Sequence, residues 1–317
     1  MKNKSFFLIA ILLIVMGSTI NAQENKDIYT PELLWKLGRL NDLRVSPDGK
    51  TLLFTITYYD VDANKGNTDI YTLPVNGGSM KKITDTPISE QNPNWRPDGK
   101  KIGFLFEDQI WEINPDGSDK KQISHVEGGI TAFVYDPSMN HILYTKEVKV
   151  DKSTQDLYPD LPKANAMIID NLMYRHWNIW EDGSYSHIFI ADYPDMTNTN
   201  DIMEGEPYDV PIYPGGSIDE IQFGKDGKKI VYACKKLKGK EYAVSTNSDI
   251  YLYDIDKKTT TNLSKSNQGY DLNPVFSPDG KYLVWGSMKT PGYESDKLRI
   301  ILYDLHTNTA NDYSSQF

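Results

Sequence analysis

Cysteine is nearly absent. Cys234 is the single one among 317 residues, so no internal disulfide can form and packing must supply the stability. Long apolar runs are missing too: the longest, Phe6 to Met16, has 11 residues, too few to cross a bilayer as a helix. A mean hydropathy of −0.53 excludes a multi-span helical membrane protein. Positive charge is in deficit. Thirty-four Lys and Arg against 44 Asp and Glu give a net charge of −10, which disfavours nucleic acids and anionic membranes as partners. The five histidines, His125, His141, His176, His187 and His306, form no H-E-x-x-H and no closely spaced pair, so no metal site is expected. Neither G-x-x-x-x-G-K-[ST] nor G-x-G-x-x-G occurs, and no nucleotide cofactor is expected. Two Gly-Gly-Ser triplets, at 77–79 and 215–217, continue as Met80-Lys81 and Ile218-Asp219, so neither completes the G-x-S-x-G nucleophile elbow. No catalytic residue is assigned.

What is present begins with a leader pattern. Lys2 and Lys4 precede the apolar run, and Ile20-Asn21-Ala22 places a small residue before Gln23. Residues 1–22 therefore read as a cleavable signal peptide of a periplasmic or secreted protein, with no membrane span after cleavage and a net charge of −12. No cysteine stands at the cleavage point, so a lipid anchor is not expected. The 21 Tyr, 10 Phe and 6 Trp argue for a folded, aromatic-rich chain. Cys234, in the strand-like Ile230-Val231-Tyr232-Ala233-Cys234, reads as a core residue.

An internal repeat decides the fold class. Ser46-Pro47-Asp48-Gly49-Lys50 recurs as Arg96-Pro97-Asp98-Gly99-Lys100, as a degraded Asp136-Pro137-Ser138-Met139-Asn140, as Gly224-Lys225-Asp226-Gly227-Lys228 and as Ser277-Pro278-Asp279-Gly280-Lys281. Proline presets the first turn dihedral, aspartate caps the turn and glycine takes the positive φ that closes a hairpin. Each turn leads into an alternating strand such as Lys281-Tyr282-Leu283-Val284-Trp285, a second strand such as Arg299-Ile300-Ile301-Leu302-Tyr303-Asp304, and a short polar strand. Four strands in 40–50 residues is the period of a propeller blade. The expected fold is all-β, a partial β-propeller of about five or six four-stranded blades over residues 41–317, following an N-terminal segment at 23–40.

Two stretches depart from the repeat. Residues 30–38 predict a short helix on the outside of the ring, with Thr30 as N-cap, Pro31 at the first helical position and Gly38 past the end. The third turn positions Ser138 and Asp226 stand 88 residues apart, and this gap predicts one blade carrying an insertion from about Lys149 to Pro214, with helical or mixed spacing from Ala164 to Trp180 and a blade strand at Ser186–Ala191. Long insertions on a rigid scaffold tend to line a binding face.

Thr30-Pro31-Glu32-Leu33-Leu34, the S-P-D-G-K turns, Tyr174-Arg175-His176-Trp177, Ser245-Thr246-Asn247-Ser248-Asp249-Ile250-Tyr251 and Gly292-Tyr293-Glu294-Ser295-Asp296 follow one another in an order that resembles the propeller of the dipeptidyl-peptidase 5 group, secreted serine exopeptidases of the prolyl oligopeptidase family. The resemblance implies peptide or oligopeptide substrates, and an α/β-hydrolase domain with a Ser/Asp/His triad after the propeller, absent up to Phe317. It also implies that the propeller gates the active site and offers carboxylates to the substrate's free amine, since an ammonium in a confined site needs a charged partner. The candidates are Glu204, Glu206, the Glu181-Asp182 pair and Glu294, with Arg175, Trp177 and Trp180 as pocket walls; Asp249 is expected to anchor its strand to backbone. A stand-alone Tol-like periplasmic propeller binding a protein or peptide remains open, as does pairing with a separately encoded hydrolase.

Overall fold

The computed structural model describes residues 29–314, so the expected signal peptide at 1–22 lies outside the described residues. Each turn pentapeptide joins the first two strands of a four-stranded antiparallel sheet. Blade 1 comprises Arg39–Val45, Thr51–Asp60, Lys65–Pro74 and Lys81–Lys82; blade 2 comprises Gln91–Trp95, Ile102–Phe106, Gln109–Ile113 and Lys121–Gln122. Blade 3 has Ala132–Tyr135, His141–Lys149, Ser184–Asp192 and Thr197–Asp201; blade 4 has Ile221–Phe223, Lys229–Cys234, Asp249–Asp254 and Thr259–Asn262. Blade 5 closes the series with Asp271–Phe276, Tyr282–Ser287, Arg299–Asp304 and Thr309–Asp312. Five blades are thus present among the described residues, one per turn.

The turn chemistry works as the sequence predicts. Gly49, at φ 72°, donates its amide to the Ser46 carbonyl at 2.8 Å, while Asp48 Oδ1 accepts from the Lys50 amide at 3.1 Å. In the degraded copy Met139 adopts φ 60° without a glycine. A second repeated device was not evident from the turns alone. After the fourth strand, the hydroxyls of Thr84, Ser124 and Ser264 accept from the amides of Ile70, Ile110 and Ile250 at 2.9, 2.7 and 2.9 Å, tying the outer strand to the third. Asp249 belongs to this belt by side chains rather than by the expected backbone bond: it accepts from Asn262 Nδ2 at 2.9 Å and Ser264 Oγ at 3.3 Å.

Period-two alternation places the core between blades. In blade 4, Ile230, Tyr232 and Cys234 pack with Leu143, Ile188 and Ile190 of blade 3, while Val231 and Ala233 pack with Leu283 and Trp285 of blade 5. Cys234 is fully buried, as expected of a core residue. Equivalent clusters join blades 1 and 2 through Leu53 and Phe104, and blades 2 and 3 through Leu105 and Phe133. Between blades 2 and 3, Tyr135 and Tyr193 both donate to Glu112 Oε1, at 2.8 and 2.7 Å. Blade 1 keeps a separate cluster of Phe54, Ile56 and Tyr71 on its other face.

The helix, α1, spans Pro31–Lys36, and Thr30 Oγ1 accepts from the Leu33 amide at 3.2 Å. It lies on the second strand of blade 1, where Trp35 meets Tyr59 edge-on at 5.3 Å. Gly38 acts through space rather than as a left-handed cap, because a β-carbon there would stand 2.6 Å from Ile56 Cγ2. The insertion is shorter than expected: strands resume at Ser184, so the excursion is 150–183 within one hairpin of blade 3. It contains no helix from Ala164 to Trp180; its only helical turn is α2, Thr154–Leu157, followed by a ribbon pairing Arg175–His176 with Ile179–Trp180. All five pentapeptide turns lie at one end of the strands, and the long second-to-third connections of blades 3, 4 and 5 rise from the other end.

Candidate functional site

On that second face the blade 3 insertion leans over the blade 4 hairpin, whose connection carries the helix α3, Gly239–Val244. Gly239 is needed at this contact: its φ is 58°, and a β-carbon would stand 2.4 Å from Asn171 Nδ2. Between the two excursions opens a cleft of about 690 Å³. Its walls include Tyr174, Trp180, Tyr185 and Tyr242, and its acids are Asp151, Asp170, Glu181, Asp182 and Asp209.

Local structure fixes these groups. Asp209 follows the last strand of blade 3, and its Oδ1 accepts from the Ser186 amide at 2.8 Å while the Val210 amide donates to the Ser186 carbonyl at 2.8 Å. Ser186 pairs across the sheet with Glu147, which brings a second carboxylate to the same level. Glu181 is held by its amide, which donates to the Tyr174 carbonyl at 3.1 Å and ties it to the aromatic ribbon. Tyr185 donates to Asp151 Oδ2 at 2.8 Å, and Tyr242 donates to the Tyr213 carbonyl at 3.0 Å, so both rings are oriented.

The cleft lining carries Lys149, Lys152 and Lys238 as well as its acids, but its inner carboxylates are not ion-paired with them. Burial, then the nearby Glu181 charge, pushes the Asp209 carboxyl up to about 6, although the Ser186 amide and His187 pull the other way. Burial also raises Glu181, with the charges of Asp182 and Glu147 adding to it. Glu147 is raised by burial and then by Asp209 and Asp182. Asp182 is burdened by burial, yet hydrogen bonds from Ser184 hold it below the usual carboxylate range. Among the described residues no lysine or arginine pairs with the carboxylate of Glu147, Glu181 or Asp209. Lys149 donates to the Asp182 backbone carbonyl, and its charge also acts on the Asp182 carboxylate. Partly desolvated, mutually repelling carboxylates gain most from an incoming cation with several N–H donors.

The residues expected from sequence are only partly gathered here. Trp180, Glu181 and Asp182 line the cleft. Arg175 and Trp177 do not: Arg175 lies over the Trp180 ring at 5.7 Å, and Trp177, 74% exposed at the ribbon tip, takes no part in the wall. Glu206 lies next to the rim residue Pro207 but is engaged by Lys236 at 2.5 Å. Glu204 is exposed on the preceding turn, and Glu294 is exposed on the blade 5 hairpin, where its charge acts on Lys235. Sequence reasoning missed Asp209 and Glu147. The available signals were weak: an acid inside the apolar Tyr208-Asp209-Val210-Pro211, and one at an alternating strand position.

No family model matches the chain. The chain is 41% identical over 328 residues to dipeptidyl-peptidase 5 of Porphyromonas gingivalis, an alignment that covers 99% of this chain and 48% of that protein. Dipeptidyl-peptidase 5 of Porphyromonas endodontalis is 37% identical over 292 residues, covering 90% and 42%. Acylaminoacyl peptidase of Pyrococcus horikoshii superposes with a TM-score of 0.63 at 18% identity, over 91% of this chain and 41% of that one, which is a likeness of fold. The chain spans about half the length of the curated relatives it matches. Its repeat, its five blades and its sequence together make this β-propeller chain a homologue of the dipeptidyl-peptidase 5 proteins.

Proposed function

We propose that the chain is the propeller portion of an exported dipeptidyl-peptidase-type serine exopeptidase, and that its cleft receives the free amino end of a peptide. The hydrolytic apparatus then belongs to sequence outside these 317 residues, which hold no G-x-S-x-G. The leader pattern at 1–22 supports export to the periplasm or beyond.

One observation carries the reading: Glu181 and Asp209 share a cleft with aromatic walls and neither carboxylate is paired with a lysine or arginine, with the Glu147 charge close by. A peptide's ammonium supplies the missing charge and three donors. Trp180, Tyr174 and Tyr242 supply apolar surface for the first side chains. The blade excursions around the cleft limit entry to extended chains, which is the gating role. Two titrations bound the working range: Asp209 protonates below about 6, and an α-amine loses its proton near 8. Binding should therefore peak between them.

Isothermal titration of the chain with Ala-Ala-Ala and with its N-acetylated form tests this. The free-amine peptide should bind at least about tenfold more tightly at pH 7, an advantage of about 1.4 kcal/mol or more, and lose affinity toward pH 5. Equal binding of the two peptides would refute the proposal.

A further inference from the structure

His187 is fully buried in the third strand of blade 3, and both of its ring nitrogens meet acceptors. Nδ1 lies 2.8 Å from Asp201 Oδ2, on the fourth strand. Nε2 lies 2.8 Å from the backbone carbonyl oxygen of Glu206. A neutral imidazole has one N–H, and a carbonyl cannot donate. Two acceptors at these distances are both satisfied only when the ring carries two protons beside an ionised Asp201, or when the extra proton sits on Asp201 itself.

We propose that His187 is a positioning residue, a buried imidazolium clamped between Asp201 and the Glu206 carbonyl that holds the Met203–Asp209 segment and so places Asp209 in the cleft. The cleft's use as an ammonium site rests on the reading above; the clamp itself does not. The segment has two further local ties: the Met203 amide donates to Asp201 Oδ1 at 2.8 Å, and the Glu206 amide donates to the Met203 carbonyl at 2.8 Å. Asp201 thus faces the histidine with one oxygen and the segment with the other.

The other blades show what this position does. In blade 1 the equivalent Asp69 pairs with Lys82 at 3.0 Å, and in blade 4 Asp249 accepts from Asn262 at 2.9 Å, each a bond from third strand to fourth. In blade 2, Gln109 also grips the loop that follows, donating to the Val126 carbonyl at 2.9 Å and accepting the Val126 amide at 2.8 Å. Blade 3 makes the same loop clamp with a ring that can lose its proton. The charged groups around it are Lys146 and Glu147 on the second strand, Asp201 on the fourth, Glu206 and Asp209 on the following segment, and Lys236 of blade 4 through Glu206. Burial opposes the charged ring, but the bonds and charges of Asp201 and the Glu206 carbonyl outweigh it and lift His187 above its ordinary value.

The test uses the full chain without ligand. Nitrogen NMR of the His187 ring should show both nitrogens protonated at pH 7; a neutral ring at pH 7 overturns the proposal. Hydrogen exchange at the Met203 and Glu206 amides, corrected for intrinsic rate, should accelerate at least about tenfold as pH rises through the His187 titration. H187Q, which copies the Gln109 arrangement, should make that protection independent of pH, and D201N should lower the titration midpoint. Unchanged pH dependence in both variants would mean that the clamp does not hold the segment. If the acetylated and free-amine tripeptides bind alike while the NMR and exchange results hold, the ammonium reading fails and the clamp stands.

Discussion

Replacing Asp209 with asparagine should stabilise the chain above pH 6. Burial first, and the Glu181 charge second, raise this carboxyl from 3.8 to about 6. A displacement of that size corresponds to about 3 kcal/mol between its protonated and ionised forms. The folded state therefore holds the proton more tightly than the unfolded chain. That contribution is complete below pH 3.8, is lost as pH rises to about 6, and is missing at pH 8. Asparagine keeps an acceptor for the Ser186 amide and removes the charge. Because Asp209 is partly open to the cleft, solvent screening trims the gain to about 1–3 kcal/mol at pH 8, or several degrees in Tm, shrinking to about 0.5 kcal/mol or less at pH 4. Calorimetric melts of both proteins at the two pH values read this directly. With Ala-Ala-Ala present the order narrows or reverses, because the ligand cation stabilises only the wild type. A D209N protein that is equal or less stable at pH 8 would refute the claim that this carboxylate is desolvated and lacks a lysine or arginine partner.

Other outcomes follow from packing and from sequence. Gly103→Ala sets a β-carbon 2.1 Å from Tyr135 Oη, displacing a buried ring whose hydroxyl serves Glu112, and should cost about 3 kcal/mol in denaturant unfolding; a loss below about 1 kcal/mol would contradict the contact. The purified chain should not hydrolyse dipeptidyl chromogenic substrates, and turnover sensitive to a serine-directed inhibitor would contradict the assignment of catalysis to sequence beyond it.

The fold was legible because its information is local and repeated. Pro-Asp-Gly turns and their variants mark every first hairpin, and alternation in strands such as Lys229–Cys234 assigns each side chain to one of two flanking blades. The insertion was legible as an interruption but not in its structure: Ala164–Trp180 has helical or mixed spacing, yet its conformation is set by contacts to blade 4 such as Asn171 against Gly239. The site was least legible. Glu204 and Glu206 stand out as paired acids in sequence, but Glu206 has a lysine partner, and three acids whose carboxyls are raised come from a strand, an insertion and a loop at positions 147, 181 and 209. Only the register of Glu147 with Ser186 and the Ser186–Asp209 bond bring two of them together.

The central claim is that the cleft takes a peptide's amino end, and a crystal structure of the chain with Ala-Ala-Ala tests it most directly. The account predicts the peptide nitrogen within about 3.2 Å of carboxylate oxygens of Glu181 and Asp209, with the chain running along Trp180 and Tyr242. A peptide bound elsewhere on the ring, or seated with its amine away from both acids, would contradict it.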